Sequence, residues 1–307
     1  MDAIKIVIAG GNGFIGSYLA KGFEEVGKTV ILINRRIDQN LSYHQVLWSN
    51  RNQIAEACSG AQVVINLAGK SVDCRYTDKN KEEIMLSRTE TTQMLGEIIS
   101  AASNPPEVWI NSSTATIYRN SMDCAMTETS GELGHGFSVE VAKAWEHSFT
   151  SFKLSHTRQI ILRTAIVLGK DGGALKPLNA LTKLGLGGKQ GSGKQMVSWI
   201  EMEDVYRAIS FLIKHKSSGI YNLSAPYPIN NQHFMREIRK ANRISFGLPT
   251  PTWLLKIGAF FIRTEAELLL KSRWVIPQRL LDAGFNFKYP TIEDALIAQS
   301  FQTTKSE

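Results

Sequence analysis

Apolar residues in this chain alternate between two spacings. Ile4, Ile6, Val7 and Ile8 form a β-prone run, after which Phe14, Ile15, Tyr18, Leu19, Phe23 and Val26 recur at helical intervals. Period two thus gives way to period 3.6, which predicts a strand at 4–9, a tight turn and a helix over 14–26. The rhythm repeats. Apolar runs predict further strands at 29–34, 62–67, 107–112 and 158–164, with helices at 79–102 and 138–152 between them. Strands alternating with helices in this way pair in parallel through right-handed crossovers, and such a sheet offers its ligand site at the carboxyl ends of its strands. The predicted fold class is α/β, a doubly wound parallel sheet.

The first turn carries Gly10, Gly11, Gly13 and Gly16. Gly11, Gly13 and Gly16 have the spacing G-x-G-x-x-G, while Gly10, Gly13 and Gly16 read G-x-x-G-x-x-G. Either triplet suits a Rossmann-type phosphate cradle, where backbone comes close to a diphosphate and a helix N-terminus points free N–H groups at it. Phe14 and Ile15 open that helix and belong to the same cradle. At the end of the second strand, an NAD site usually carries a carboxylate for the ribose hydroxyls. Here the chain reads Asn34, Arg35, Arg36, and Asp38 lies beyond the strand end. Guanidinium groups fork onto a 2′-phosphate, so NADP(H) is preferred over NAD(H). Simply solvated arginines are the alternative.

Length and composition add bounds. With 307 residues, 43% of them hydrophobic, the chain can bury a large core. The division expected is a cofactor domain at 1–168 and 203–225, with a smaller substrate-side region at 169–202 and 226–307. Three cysteines without C-x-x-C spacing predict neither a disulfide framework nor a zinc site. None of the six histidines has a second ligand at metal spacing, so no metal is expected. The opening "MDAIKIVIAG" lacks the pattern of a signal peptide, which together with the cysteine usage predicts a cytoplasmic protein. The apolar run "WLLKIGAFFI" at 253–262 is too short to span a bilayer, so no membrane partner is expected and the run reads as a buried or interface helix.

The net charge of +7 raises the question of nucleic acid. Arg236, Arg239, Lys240 and Arg243 fall on one predicted helical face, yet no aromatic platform or DNA-binding module accompanies them. A solvated face or a basic rim for an anionic substrate is preferred. The stretch "GKQGSGKQ" at 188–195 has the spacing of a Walker A loop. Gln195 stands where a magnesium-binding hydroxyl belongs, and the flanking strand and helix are missing, so it reads as a flexible loop at the substrate mouth. Trp199 is a candidate wall of the substrate pocket, and Glu203 or Asp204 a candidate helix start.

Several strings taken in order resemble one family. "AGGNGFIG", "NLAG", "SRTETT", "SSTATIY", "AKAWE", "GKDGGAL", "GLGGKQGSGKQMVSWIEMEDV", "YNLSAP" and "PQRLLDAGFNFKYPTIEDAL" resemble the atypical, extended short-chain dehydrogenase/reductases of the epimerase-family subgroup. That subgroup is often labelled nucleoside-diphosphate-sugar epimerase and carries a small C-terminal region. The resemblance selects Gly10, Gly13 and Gly16 as the functional triplet, and implies Leu67, Ala68 and Gly69 as further cofactor contacts. It implies Thr114 as the hydroxyl that orients the substrate oxygen and Lys143 as the lysine on the nicotinamide ribose.

The family's Tyr-x-x-x-Lys places an acidic phenol one helical turn before that lysine. In this chain the place is held by Val139. Tyr118 is the first candidate for the missing proton donor, with Glu140 and Ser138 after it; a packed aromatic wall is the alternative for Tyr118. The resemblance implies an NADP-dependent oxidoreductase or epimerase acting on a small polar molecule such as a nucleotide-linked sugar. It also implies a homodimer through helices 79–102 and 138–152. The missing tyrosine motivates a second reading, a non-catalytic NADPH-binding sensor.

Overall fold

The computed structural model describes residues 4–170, 172–255 and 270–301. Its first half runs β1 (Lys5–Ala9), α1 (Phe14–Glu25), β2 (Thr29–Asn34), β3 (His44–Leu47), α2 (Arg51–Cys58), β4 (Val63–Asn66), α3 (Asp78–Ala101), β5 (Val108–Thr114), α4 (Phe137–Thr150) and β6 (Arg158–Thr164). The second half runs β7 (Ile166–Gly169), β8 (Gly172–Gly173), α5 (Leu175–Lys183), β9 (Met196–Val197), β10 (Trp199–Glu201), α6 (Met202–Lys214), β11 (Gly219–Leu223), β12 (Ile229–Asn230) and α7 (Asn231–Ala241). Two helices follow, α8 (Gln278–Asp282) and α9 (Ile292–Phe301).

Seven strands form one sheet in the order β11-β6-β5-β4-β1-β2-β3, and every pairing is parallel. The predicted doubly wound α/β fold is what the chain adopts. Strand period sorts the core onto two faces: Ile6 and Ile8 pack with Leu19 and Phe23 of α1 and Val205, Ile209 and Leu212 of α6. Val7 and Ala9 point the other way, toward Ile54 of α2, Leu95 and Ile99 of α3, and Phe149 of α4. Because β1 lies between β2 and β4, the winding reverses between β1 and β4. That switch point is where ligands bind in open α/β sheets.

A second core holds the later segments together. Leu175 and Leu178 of α5, Trp199, Phe234 and Ile238 of α7, and Ile292 and Leu296 of α9 share it. Leu280 and Phe285, placed by sequence with the substrate-side region, pack instead into the first core beside Leu212 and Leu223. Trp199 is wholly buried, so it is a core residue and does not wall a pocket. Residues 188–195 are fastened by backbone bonds from Gly191 to Thr250 and from Thr250 to Lys189, and by the Asn231 side chain on the Gln190 N–H, which corrects the flexible-loop reading. Neither Glu203 nor Asp204 starts α6: Glu201 caps it, accepting from the Glu203 N–H, while Asp204 sits in the first turn with its buried carboxylate accepting from the N–H groups of Lys288 and Tyr289. Residues 256–262 of the apolar run lie outside the described residues. Among the described residues, no helix is long and apolar enough to cross a membrane.

Candidate cofactor and active site

The glycine turn sits at the switch point. Gly10 has φ +79°, and a Cβ built on it would lie 3.0 Å from the Leu67 carbonyl oxygen, so the β1 and β4 loops touch there and only glycine fits without strain. A Cβ on Gly16 would come 2.4 Å from the Gly10 oxygen, and one on Gly11 would meet Leu32. Gly13 differs: it is the N-cap of α1 at an ordinary φ of −81°, and its Cβ would meet only the Gly10 oxygen, at 3.2 Å. No side chain caps α1 and its first turn holds no acid. The first N–H groups of α1, on Phe14, Ile15 and Gly16, thus face an uncapped helix end with its positive dipole. The Phe14 ring turns away and lies against Gly169, Gly172 and Gly173 of the β7–β8 turn, where added Cβ atoms would come within 2.8 Å of it.

At the end of β2, Asn34 is buried and its amide donates to Gln45 Oε1 of β3 at 3.1 Å. Asp38 is occupied: its carboxylate accepts from the backbone N–H and the side-chain amide of Asn40. Arg35 and Arg36 are exposed and form no ion pair among the described residues.

At the end of β4, Asn66 accepts from the Ala68 N–H at 3.1 Å and donates to Asn111 of β5 and Thr92 of α3. Trp145 of α4 donates its indole N–H to the same Thr92 at 3.0 Å. This buried network holds the Leu67–Ala68–Gly69 loop in place, and sequence reading missed it. Its signal was an asparagine at the fourth position of both β4 and β5, which pair Asn66 with Asn111.

Thr114 ends β5 opposite Thr164, with its Oγ1 accepting from the Thr116 N–H and 3.0 Å from the Thr116 hydroxyl. Lys143 donates from Nζ to the Gly134 carbonyl at 3.2 Å. Tyr118 is where the structure departs from expectation. It is 1% exposed; its hydroxyl donates to Asn222 Oδ1 at 2.8 Å and accepts from Arg163 Nη1 at 3.0 Å. Burial raises its pKa, against the lowering effect of Arg163 and of its hydrogen bonds. A phenol enclosed and bonded in this way has no path to a substrate, so its place is structural. Glu140 is exposed, and Ser138 Oγ is buried without a hydrogen-bond partner among the described residues.

Val139 is also buried, packed with Ala115, Ile117, Met126 and Val275. Rebuilding the family's motif by Val139→Tyr therefore forces a large phenol into a filled core. The expected result is a loss of about 1–3 kcal/mol of stability, without new carbonyl-reductase activity. Thermal melts beside an NADPH oxidation assay check it, and a stable, active variant would show that position 139 opens to the cleft.

Two further sequence readings change. His233 Nε2 lies 3.3 Å from Glu237 and 3.1 Å from Glu293, so this histidine does have carboxylate neighbours, although Glu237 is already matched by Arg236 and Lys240. The basic run does not make one free face: Arg239 donates to the Gly187 carbonyl, and Arg243 lies past the end of α7 at φ 58°. A separate concavity of about 490 Å³, lined among others by Phe152, Leu154, Gln159 and Ile220, opens near the amino ends of β6 and β11. It is at the wrong edge of the sheet for the site above.

A parallel sheet of this order, with a glycine cradle at its switch point, defines a Rossmann-type dinucleotide-binding fold. The chain belongs to the NAD-dependent epimerase/dehydratase family, whose model matches residues 6–224. A domain of unknown function, DUF1731, matches residues 250–298. An epimerase family protein of Staphylococcus epidermidis is 31% identical over 300 residues, covering 95% of this chain and 97% of the relative. The crystal structure of human epimerase family protein SDR39U1 (isoform 2) with NADPH superposes with a TM-score of 0.88 at 28% identity, covering 97% of this chain and 99% of that one. A nucleoside-diphosphate sugar epimerase from Corynebacterium glutamicum gives a TM-score of 0.78 at 27% identity, covering 97% of this chain and 58% of that one.

Proposed function

We propose that the chain is an NADP(H)-dependent oxidoreductase or epimerase acting on a small polar substrate of the nucleotide-sugar kind. The observation that carries the cofactor choice is the end of β2. Arg35 and Arg36 stand exposed and without ion pairs among the described residues, while the one nearby carboxylate, Asp38, is committed to Asn40. The structural relative solved with NADPH supports the same reading.

The residues present fit such a cofactor. Gly10, Gly13 and Gly16, with the N–H groups of Phe14 and Ile15, would hold its diphosphate; Asn34, Arg35 and Arg36 its adenosine ribose phosphate; and Leu67, Ala68 and Gly69 its flank. Bound there, it supplies or accepts a hydride. Thr114 orients the substrate oxygen through its hydroxyl, and Lys143 exchanges the Gly134 carbonyl for the ribose hydroxyls. No phenol stands at 139, and Tyr118 is committed to the core, so the proton is not assigned to either position.

NADPH is expected to bind several-fold tighter than NADH. Arg35→Ala with Arg36→Ala should erase that preference and leave NADH affinity nearly intact, as calorimetric titration will show; equal affinities in the unmodified protein would remove the cofactor choice. Thr114→Val should lower turnover and spare NADPH affinity, and Lys143→Met should weaken both. The missing phenol favours a second reading, a non-catalytic NADPH sensor. Hydride transfer with any member of a broad carbonyl and sugar-nucleotide panel would exclude it.

A further inference from the structure

One cation in the wall of the cleft has no role above. Arg88 lies on α3 one turn before Thr92, where α3 passes the carboxyl ends of β4 and β5. Three neighbours hold its guanidinium in place. The Trp145 ring of α4 lies 5.1 Å from Cζ, and Nη1 donates to the Ile84 carbonyl at 2.9 Å. A Cβ built on Gly69 would be 3.0 Å from Cζ, so the planar group rests against the loop that follows β4. That loop reaches the glycine turn, since Gly10 and Leu67 are in contact.

What the guanidinium lacks is a counter-charge. The half-buried Arg88 forms no ion pair among the described residues, whereas the buried Arg163 is matched by Glu146 through two bonds of 2.8 Å. Burial pulls the Arg88 pKa down, to about 10, with Tyr76 opposing. Removing a cation from water is unfavourable unless an anion answers it, and the planar fork of arginine suits phosphate and carboxylate oxygens. Among the described residues, only one of its N–H donors has a hydrogen-bond partner, the Ile84 carbonyl. The rest point to a ligand.

We propose that Arg88 is an anion receptor of the cleft, taking a phosphate or carboxylate oxygen of the molecule held beside Leu67–Gly69. This rests on the reading that the ligand lies at the carboxyl edge of the sheet. The oxyanion has two sources, the diphosphate of the cofactor or an acidic group on the substrate. Either way, Arg88 holds the charge through hydrogen bonds and forms no covalent bond.

Arg88→Met keeps the stem over Trp145 and removes the fork. NADPH is titrated into the unmodified and variant proteins by calorimetry; inorganic phosphate is then titrated into the NADPH-saturated proteins, with chloride at matched ionic strength as the control. If the cofactor is the source, Arg88→Met weakens NADPH by about tenfold to a hundredfold, the size of one lost hydrogen bond to a charged group. If the substrate is the source, NADPH affinity holds, and phosphate raises the melting temperature of the unmodified protein alone.

Unchanged NADPH affinity together with equal phosphate stabilisation overturns the proposal. Should Arg88→Met fail to fold, Arg88→Lys keeps the charge without the fork and is read by the same criteria. If the unmodified protein binds no NADPH, the cofactor reading falls, and phosphate titrated into the cofactor-free proteins still judges Arg88.

Discussion

Gly13→Val is expected to leave a folded protein that holds neither NADPH nor NADH. The contrast with Gly16 makes the experiment clean. A side chain at 16 would collide with the Gly10 carbonyl at 2.4 Å and with Gly11 Cα at 2.8 Å, so Gly16→Val breaks the turn itself, at a cost of about 1–3 kcal/mol or more. A side chain at 13 meets one atom at 3.2 Å on the protein side, and its backbone is in an ordinary conformation. The methyl groups of valine therefore extend toward the uncapped end of α1, where a diphosphate has to approach. Melting temperature should fall less for Gly13→Val than for Gly16→Val, while calorimetry finds no binding of either cofactor to the first. Retained binding by Gly13→Val would mean that the turn is only structural.

Glu146→Leu is expected to be the most damaging single change to stability. Glu146 accepts both parallel bonds of Arg163 and a third from the Ser113 hydroxyl, all in the interior. Burial disfavours the Arg163 charge, yet the hydrogen bonds and charge of Glu146 outweigh it and hold the guanidinium above its ordinary range. Removing the carboxylate leaves that cation uncompensated beneath Thr114, since Ser113 pairs with Arg163 and Thr114 with Thr164. Breaking such a pair costs about 3–5 kcal/mol, which for a chain of this size is a fall of roughly 5–8 °C in melting temperature. Adding Arg163→Met should recover much of the loss, because two apolar residues leave no stranded charge. A single variant as stable as the unmodified protein would show that the pair carries no net stability. Tyr118 and Asn222 would feel the same change through Arg163 Nη1.

What the chain determines locally is a matter of period. Each strand predicted at 4–9, 29–34, 62–67, 107–112 and 158–164 is present within two residues at either end, and so are the three long helices. Alternation of apolar positions belongs to a segment and needs no partner to be legible. β3 and α2 went unread because β3 is a short edge strand with one buried residue and α2 spans only two turns, too few positions for a period to emerge. The glycine turn was legible for the same local reason, strand and helix meeting with no room between them.

The site's charges and proton positions were decided elsewhere. Tyr118 looked available at the end of a strand, yet its hydroxyl is met by Asn222, 104 residues away, and by Arg163, 45 residues away. Val139 stands where a phenol was sought, and the surroundings that close over it come from Met126 and Val275. Arg88 shares a helical stripe with Ile84, Thr92 and Leu95, so a cation on a buried face was visible in "SRTETT", but its lack of a carboxylate was not. Periodicity says which way a side chain faces. Which group waits there depends on chain crossings that bring distant residues within hydrogen-bond range, and that is a property of the packed sheet and its helices alone.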